Sequence, residues 1–276
     1  RLLRNRHVGK TVLVTGASRL DATRKDVLKV VTTAGPSCQP DLQLRPLSEG
    51  TYTGENVYTT TGAGQTKVQA VRPGQTATFV FHAQNDGNVA DTLKLTGPAA
   101  PTGWTVRYVN AATGADITGQ LTGAGYSTGV LAPGAYAWLS AQVTPSGSVP
   151  AGSVCTLTLT AISLNEAGTS DVVQAVTTVA ARYQPDAKIR TLAEPSYTGD
   201  NRYNTTGAGQ SKAQSGRAGQ TATYVVHVQN DGNTADSVTV TGPAAPAGWA
   251  VKYVNAATGA DITAQVTGAG YGTGPL

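Results

Sequence analysis

The stretch QPDLQLRPLSEGTYTGENVYTTTGAGQ, residues Gln39–Gln65, returns as QPDAKIRTLAEPSYTGDNRYNTTGAGQ, residues Gln184–Gln210. The offset is 145, and it holds without a gap: 63 of the 93 positions in 39–131 are identical in 184–276. QNDGN recurs from Gln84 and Gln229, GPAAPxGW ends at Trp104 and Trp249, and YVNAATGADIT starts at Tyr108 and Tyr253. Solenoid repeats run to about 50 residues, so a period of this length is a duplicated domain.

The same offset reaches back to the start of the chain. Residues 10–41 fall on 155–186, CTLTLTAISLNEAGTSDVVQAVTTVAARYQPD, with Thr11, Thr15, Ser18, Asp26, Val27, Val31, Thr32 and Thr33 coincident. This settles HVGKTVLVTGASRLDATRKDV, residues His7–Val27, whose TGAS invites a nucleotide-binding reading. A dinucleotide fingerprint needs glycines for the turn, for phosphate approach and for helix packing. Gly16 is present, but Leu20 and Ala22 hold the later glycine positions. No tyrosine has a lysine four residues on, and no alternation of strands with long helices follows. The stretch reads instead as a strand KTVLVTGAS, a polar connection, and a closing strand VLKVVTT; no nicotinamide or other cofactor is expected.

The chain therefore divides into the closing strands of one repeat (1–38), a complete repeat (39–183) and the opening part of another (184–276). The two partial copies lack only the counterpart of 132–145. With no Met and an Arg at its start, the sequence reads as a processed form or a piece of a longer one. Two expectations follow: a window on a longer tandem array, or a C-terminal part completed by the N-terminal strands of the next molecule, through valines including Val12, Val14, Val27 and Val31.

Within a repeat the period is two. TATFVFHAQNDGN sets Ala77, Phe79, Phe81 and Ala83 on one face and Thr78, Val80, His82 and Gln84 on the other, as in a half-buried strand. The second copy alternates likewise, with Ala222, Tyr224, Val226 and Val228 inward. Asn-Asp-Gly-Asn is a tight-turn signal, and RPGQ and APGA mark turns before strands. ADTLKLTG, WTVRYVN, AYAWLSAQVTP, CTLTLTAIS and DVVQAVTTV are further strands. Six or seven short strands and no long amphipathic helix predict an all-β chain of tandem Ig-like antiparallel sandwiches, the first and last incomplete.

The order PGQxAxFxFxxQNDGNxADxxxLT, then APxGWxVxY, then LAPGAxAxLxxxVTP and a VPAG turn resembles bacterial extracellular Ig-like modules. Such modules are appended to α-galactosidases and other secreted glycosidases, and occur in large surface proteins. The resemblance covers the repeat from about Arg72. It implies a spacer, binding accessory or adhesive unit, extracellular or at the cell surface. The Tyr-Thr-Gly-rich segment before Arg72 departs from it.

Charged residues make up 13% of the chain, about half the usual share. Residues 1–38 carry a charge of +6 and the remainder −2, so no basic stripe for nucleic acid runs through the bulk. The basic end reads as solvated. No apolar run is long enough to cross a membrane as a helix.

Few residues suggest chemistry. His7, His82 and His227 lack metal partners nearby, and the latter two are expected on the solvent face. Asp86, Asn88 and Asp91, with Asp231, Asn233 and Asp236, offer oxygens to Ca²⁺, as do Glu55 with Asn56 and Asp200 with Asn201. Each loop supplies fewer than calcium's six to eight ligands, and turn formation is the competing reading. Trp104 and Trp249 are expected as structural aromatics at the sandwich edge, with a sugar platform as the alternative. Tyr52, Tyr58, Tyr197 and Tyr203 recur in YTGxNxY. Asn204-Thr205-Thr206 is a glycosylation sequon that the first copy lacks, having Thr59 there. Cys38 and Cys155, the only cysteines, are a disulfide pair or independent thiols.

The expected function is structural and non-enzymatic: an extracellular filament or surface stalk of Ig-like domains joined head to tail as a homopolymer, with surface glycans as further partners. The alternative is a carbohydrate-binding or spacer region of a secreted glycosidase or adhesin.

Overall fold

The computed structural model describes residues 9–276. The expectations for His7 and the first arginines lie outside the described residues. The chain forms two compact units: one takes in the chain to Ser146 together with Ser153–Val179, the other Gly147–Gly152 together with Ala180–Leu276.

The first unit begins with a hairpin, β1 (Lys10–Ala17) and β2 (Lys25–Thr32), followed by nine strands: β3 (Pro40–Pro46), β4 (Thr66–Val71), β5 (Ala77–Asn85), β6 (Asp91–Thr96), β7 (Trp104–Asn110), β8 (Tyr126–Leu131), β9 (Tyr136–Pro145), β10 (Val154–Ser163) and β11 (Ser170–Val179). One turn of helix, α1 (Thr118–Leu121), precedes β8. The nine strands form two sheets, β3-β5-β9-β7 and β4-β11-β10-β6-β8. Every pairing is antiparallel except β4 with β11, which run parallel. This is the expected antiparallel sandwich with two strands more than the upper expectation. The strands that the sequence did not single out are β3 and β4, from the segment before Arg72, and β8.

The core lies between the sheets. Ala77, Phe79, Phe81 and Ala83 are fully buried, as their alternation predicts, and meet Leu157, Leu159, Val173 and Ala175 from the facing sheet. Leu93, Leu95, Tyr108 and Leu121 close the other end. Burying each leucine, valine or phenylalanine among these contributes about 1.5–3 kcal/mol.

The second unit contains β12 (Pro185–Thr191), β13 (Tyr224–Asn230), β14 (Ser237–Val240), α2 (Thr263–Thr267) and β15 (Tyr271–Pro275). These repeat β3, β5, β6, α1 and β8 in register, but pair only as β12-β13 and β14-β15. Residues 211–216, counterpart of β4, and most of 249–255, counterpart of β7, are not strands. Their neighbours in the complete sandwich explain this. β4 is hydrogen-bonded to β11, and β7 to β9. Neither β11 nor β9 has a counterpart in the second unit, and a strand without a ladder has little to hold it extended.

Candidate functional site

The hairpin and the second unit present faces that the complete sandwich buries. β1 and β2 pair with Val14 opposite Leu28 and Val12 opposite Val30. The corresponding pairs of β10 and β11, Leu159 with Val173 and Leu157 with Ala175, hold the same register. Leu157, Leu159, Val173 and Ala175 are at most 2% exposed, whereas Val12, Val14, Leu28 and Val30 are 52–64% exposed. The face expected from the sequence mixed two sides. Directly opposed residues of an antiparallel pair share a face, so Val12 and Val14 go with Leu28 and Val30, while Val27 and Val31 lie on the other side. In the second unit Tyr224 and Val226, counterparts of the fully buried Phe79 and Phe81, are 38% and 57% exposed.

A polar network ties the complete sandwich at the start of β11. The buried Asp171 carboxylate accepts from Leu42 N–H (2.7 Å), Thr59 N–H (2.9 Å), the Gln65 side-chain amide (2.7 Å) and Val172 N–H (2.8 Å). It thereby fastens β3 and the Tyr-Thr-Gly loop to the facing sheet. Burial nonetheless pushes its pKa up, against these four donors. Its counterpart Asp26 is exposed and accepts only from Val27 N–H, at 2.9 Å.

A second network recurs in both units. Asp41 is buried; its Oδ2 accepts from Gln43 (2.6 Å) and Asn56 N–H (3.4 Å), and its Oδ1 has no partner. Nearby, the Tyr58 hydroxyl donates to Asp86 (3.0 Å). Asp186, Asn201, Tyr203 and Asp231 repeat the arrangement. Asn56 and Asn201 both sit at a φ of 56°, in the left-handed region that Asn tolerates. The copies differ at one position. Where the first has Gln43, the second has Lys188, whose ammonium reaches Asp200 (2.7 Å) and Gln229 (2.8 Å).

The other sequence candidates fall as follows. Asn88 accepts from Ser37 N–H and donates to Gly35 O, Asp91 accepts from Thr92 N–H, and Asp86 turns to Gln84 and Tyr58. Asn233 and Asp236 likewise bond the backbone of Arg182 and Ser237. Glu55 is exposed, and Asp200 holds Lys188. These oxygens serve turns and strand ends, and no group of three or more His, Cys, Asp or Glu that could hold a metal ion occurs among the described residues.

Cys38 and Cys155 are free thiols, both buried. Cys38 sits by Ser163, Asp91 and Glu166 at the far end of β10. Cys155 lies eight residues back along that strand, about 26 Å away at 3.3 Å per residue. A disulfide needs Cα atoms within about 7 Å, so the two are not bridged. Burial raises the pKa of both thiols.

Trp104 packs partly buried against the core, while Trp249 is 75% exposed, because no β9 counterpart covers it. Trp104→Ala is expected to cost about 2 kcal/mol, below the 3–5 of a fully buried ring, and Trp249→Ala under about 0.5 kcal/mol. Urea denaturation of the two variants checks the contrast; equal losses would contradict it. Asn204 is exposed, its Oδ1 accepting from Thr206 and Ala208 N–H. TGAS is the end of β1 and its turn, where Ser18 Oγ accepts from Leu20 and Asp21 N–H.

One cluster was not foreseen. His82 does lie on the outer face, but its ring stacks between Tyr52 (3.9 Å) and Tyr136 (4.4 Å), and Trp138 Nε1–H donates to its Nε2. Burial, then the neighbouring Arg45, lowers its pKa to about 4, so it stays neutral and able to accept. Tyr136 and Trp138 remain nearly half exposed. His227, without these β9 rings, is exposed and only tilted against Tyr197.

No family model and no curated protein matches the chain. Three solved structures are similar at a distance. BcpA, the major pilin subunit of Bacillus cereus, is 9% identical over 91% of this chain and 75% of its own, with a TM-score of 0.32. PapD-like domain 7 of human CEP192 is 12% identical over 50% of this chain and 84% of its own, at 0.27. The Vibrio cholerae VesB protease is 16% identical over 42% of this chain, which spans 30% of the protease's length, at 0.27. Likeness at this level identifies no relative. The internal repeat, identical at 63 of 93 positions, is the template from which this chain is best understood.

Proposed function

We propose that the chain is a structural, non-enzymatic component of an extracellular filament or surface stalk, built from Ig-like sandwiches joined head to tail. The observation that carries this reading is the complementarity of its exposed halves. The hairpin β1-β2 is a copy of β10-β11, and the second unit is a copy of the strands that β10-β11 cover. Exposed apolar surface of this kind drives association, and unpaired strand edges direct it. The contact is heterologous, and a heterologous contact that does not close propagates linearly. In a longer tandem chain the same pairing would lie within each successive repeat. Electron microscopy with sedimentation of the full chain at rising concentration tests the reading. Unbranched linear assemblies are expected; a chain that stays monomeric throughout refutes head-to-tail joining.

Tyr136 and Trp138 favour a second reading, a glycan-binding face on the outside of β9, since aromatic rings offer flat apolar surfaces. On that reading Trp138→Ala abolishes retention on a polysaccharide matrix while the melting temperature stays within a few degrees of wild type. Equal retention of the two proteins removes the glycan site.

A further inference from the structure

The outward side of β9 carries more than its two rings. Side chains alternate along a strand, so Tyr136, Trp138, Ser140 and Gln142 stand in one row, about 7 Å apart and about 20 Å from end to end. Their partners on β5 are Gln84, His82, Val80 and Thr78, and β9 lies between β5 and β7, so the row runs along the middle of the sheet's outer face. Trp138 is held in place: its indole N–H donates to His82 Nε2, and His82 is stacked on Tyr52 and Tyr136. Ser140 and Gln142 are half-buried, and neither spends its side chain on a hydrogen bond among the described residues. The row is thus two aromatic platforms followed by an unspent hydroxyl and an unspent amide. The arginines of this face are engaged. Arg45 donates to the carbonyl oxygens of Leu47 (3.2 Å) and Glu49, and Arg107 to the Asp116 carboxylate (2.8 Å).

We propose that the outer face of β9 binds a single chain of a neutral polysaccharide, stacked on Trp138 and Tyr136 and hydrogen-bonded by Ser140 and Gln142, with His82 as the positioning residue that fixes the Trp138 ring. This rests on the glycan reading above and names its ligand class and its polar half. A pyranose ring has C–H groups on its faces and hydroxyls at its rim. The first suit aromatic rings, and the second suit neutral groups that can both donate and accept. An acidic polysaccharide would have to draw Arg107 from Asp116, or Arg45 from its carbonyl oxygens, to find a counter-charge. The planes of Tyr136 and Trp138 are 49° apart at a separation of 6.0 Å. Rings so inclined do not lie together on a flat crystalline surface. A single chain, whose sugar rings turn about each linkage, meets both.

The test is native gel electrophoresis of the full chain through soluble starch, galactomannan, xyloglucan or alginate, with sedimentation on microcrystalline cellulose beside it. At least one of the neutral polymers is expected to retard the chain; alginate and the crystalline solid are not expected to hold it. Trp138→Ala should weaken binding at least about tenfold, and Gln142→Ala about fivefold, the worth of one neutral hydrogen bond. Trp249→Ala, which removes an exposed ring of the second unit, should change nothing. His82→Phe keeps a ring in the stack but offers no acceptor, and should weaken binding at an unchanged melting temperature; His82→Gln, with its amide oxygen, should recover part of the loss. A His82→Phe chain that binds like wild type removes the positioning role. Binding that Trp138→Ala removes but Ser140→Ala and Gln142→Ala leave intact overturns the row and keeps the glycan face. Alginate or the crystalline solid holding the chain as well as the neutral polymers do overturns the ligand class, again with the glycan face standing. Retention by none of these polymers, or retention indifferent to Trp138, sinks the glycan face and this proposal together.

Discussion

Asp171→Ala is expected to destabilise the complete sandwich by about 4 kcal/mol. Asp171 is fully buried and accepts four hydrogen bonds, from Leu42, Thr59, Gln65 and Val172. Three of the donors belong to segments more than a hundred residues away in sequence. Truncation strands them where water reaches poorly, at about 1–3 kcal/mol each. Removing the carboxylate also removes its own desolvation cost, visible in its raised pKa, which holds the total below the simple sum. The same substitution at the equivalent position of the hairpin, Asp26→Ala, should leave the urea midpoint of the sandwich where it was, since exposed Asp26 bonds only its neighbour. A drop below about 1 kcal/mol for Asp171→Ala would mean that water replaces the carboxylate and that the network is incidental.

The Asp171 network explains the limits of reading this chain from its sequence. Alternation placed Ala77, Phe79, Phe81 and Ala83 in the core because a strand's side-chain period is local. The repeat assigned β1 and β2 their counterparts because identity at a fixed offset needs no geometry. Pairing between distant strands carries no such signal. Asp171 coincides with Asp26 in the repeat, but nothing nearby marks it as the acceptor for Leu42 and Thr59. The parallel placing of β4 on β11 was equally silent. The inward face of β2 was misassigned for a related reason. Val27, Leu28, Val30 and Val31 are all apolar, and only the cross-strand register decides between them. The exposure of Trp249 follows from a missing neighbour, which its own sequence environment, nearly identical to that of Trp104, does not reveal. The ring stack on His82 required Tyr52, Tyr136 and Trp138 to meet from β9 and from a loop outside the named strands.

Gln43→Lys is expected to gain stability relative to wild type as pH rises from about 4 to about 7, because it removes most of a loss that the Asp41 carboxyl imposes over that range. Burial, reinforced by Asp86, pushes the Asp41 carboxyl from 3.8 up to about 7, despite the hydrogen bond from Gln43. Its folded pKa thus lies above its unfolded one. Between the two values the folded state holds a proton that the unfolded state has released, so the contribution is complete below pH 4 and gone above pH 7. A shift of this size is worth at most about 4 kcal/mol. Asp171 shifts in the same direction. The carboxylates pulled down to about 2, Asp116 and Glu194, act only below pH 4. His82, lowered to about 4, works in the opposite sense over the same window, because its unfolded form holds a proton that the folded form does not, so the Asp41 contribution is read as a difference between wild type and variant. The second unit already carries the remedy. Lys188 stands at the position of Gln43 and brings a fixed positive charge among Asp186, Asp200 and Asp231. A lysine at position 43 would give Asp41 the same counter-charge, favour its ionised form and lower its pKa toward the ordinary value. The remaining slope would belong to Asp171 and His82. Urea denaturation of wild type and variant at several pH values between about 4 and 8 reads the difference directly. If wild type and variant run parallel from pH 4 to pH 8, water already solvates the Asp41 carboxylate and its unpartnered oxygen is not the liability its burial indicates.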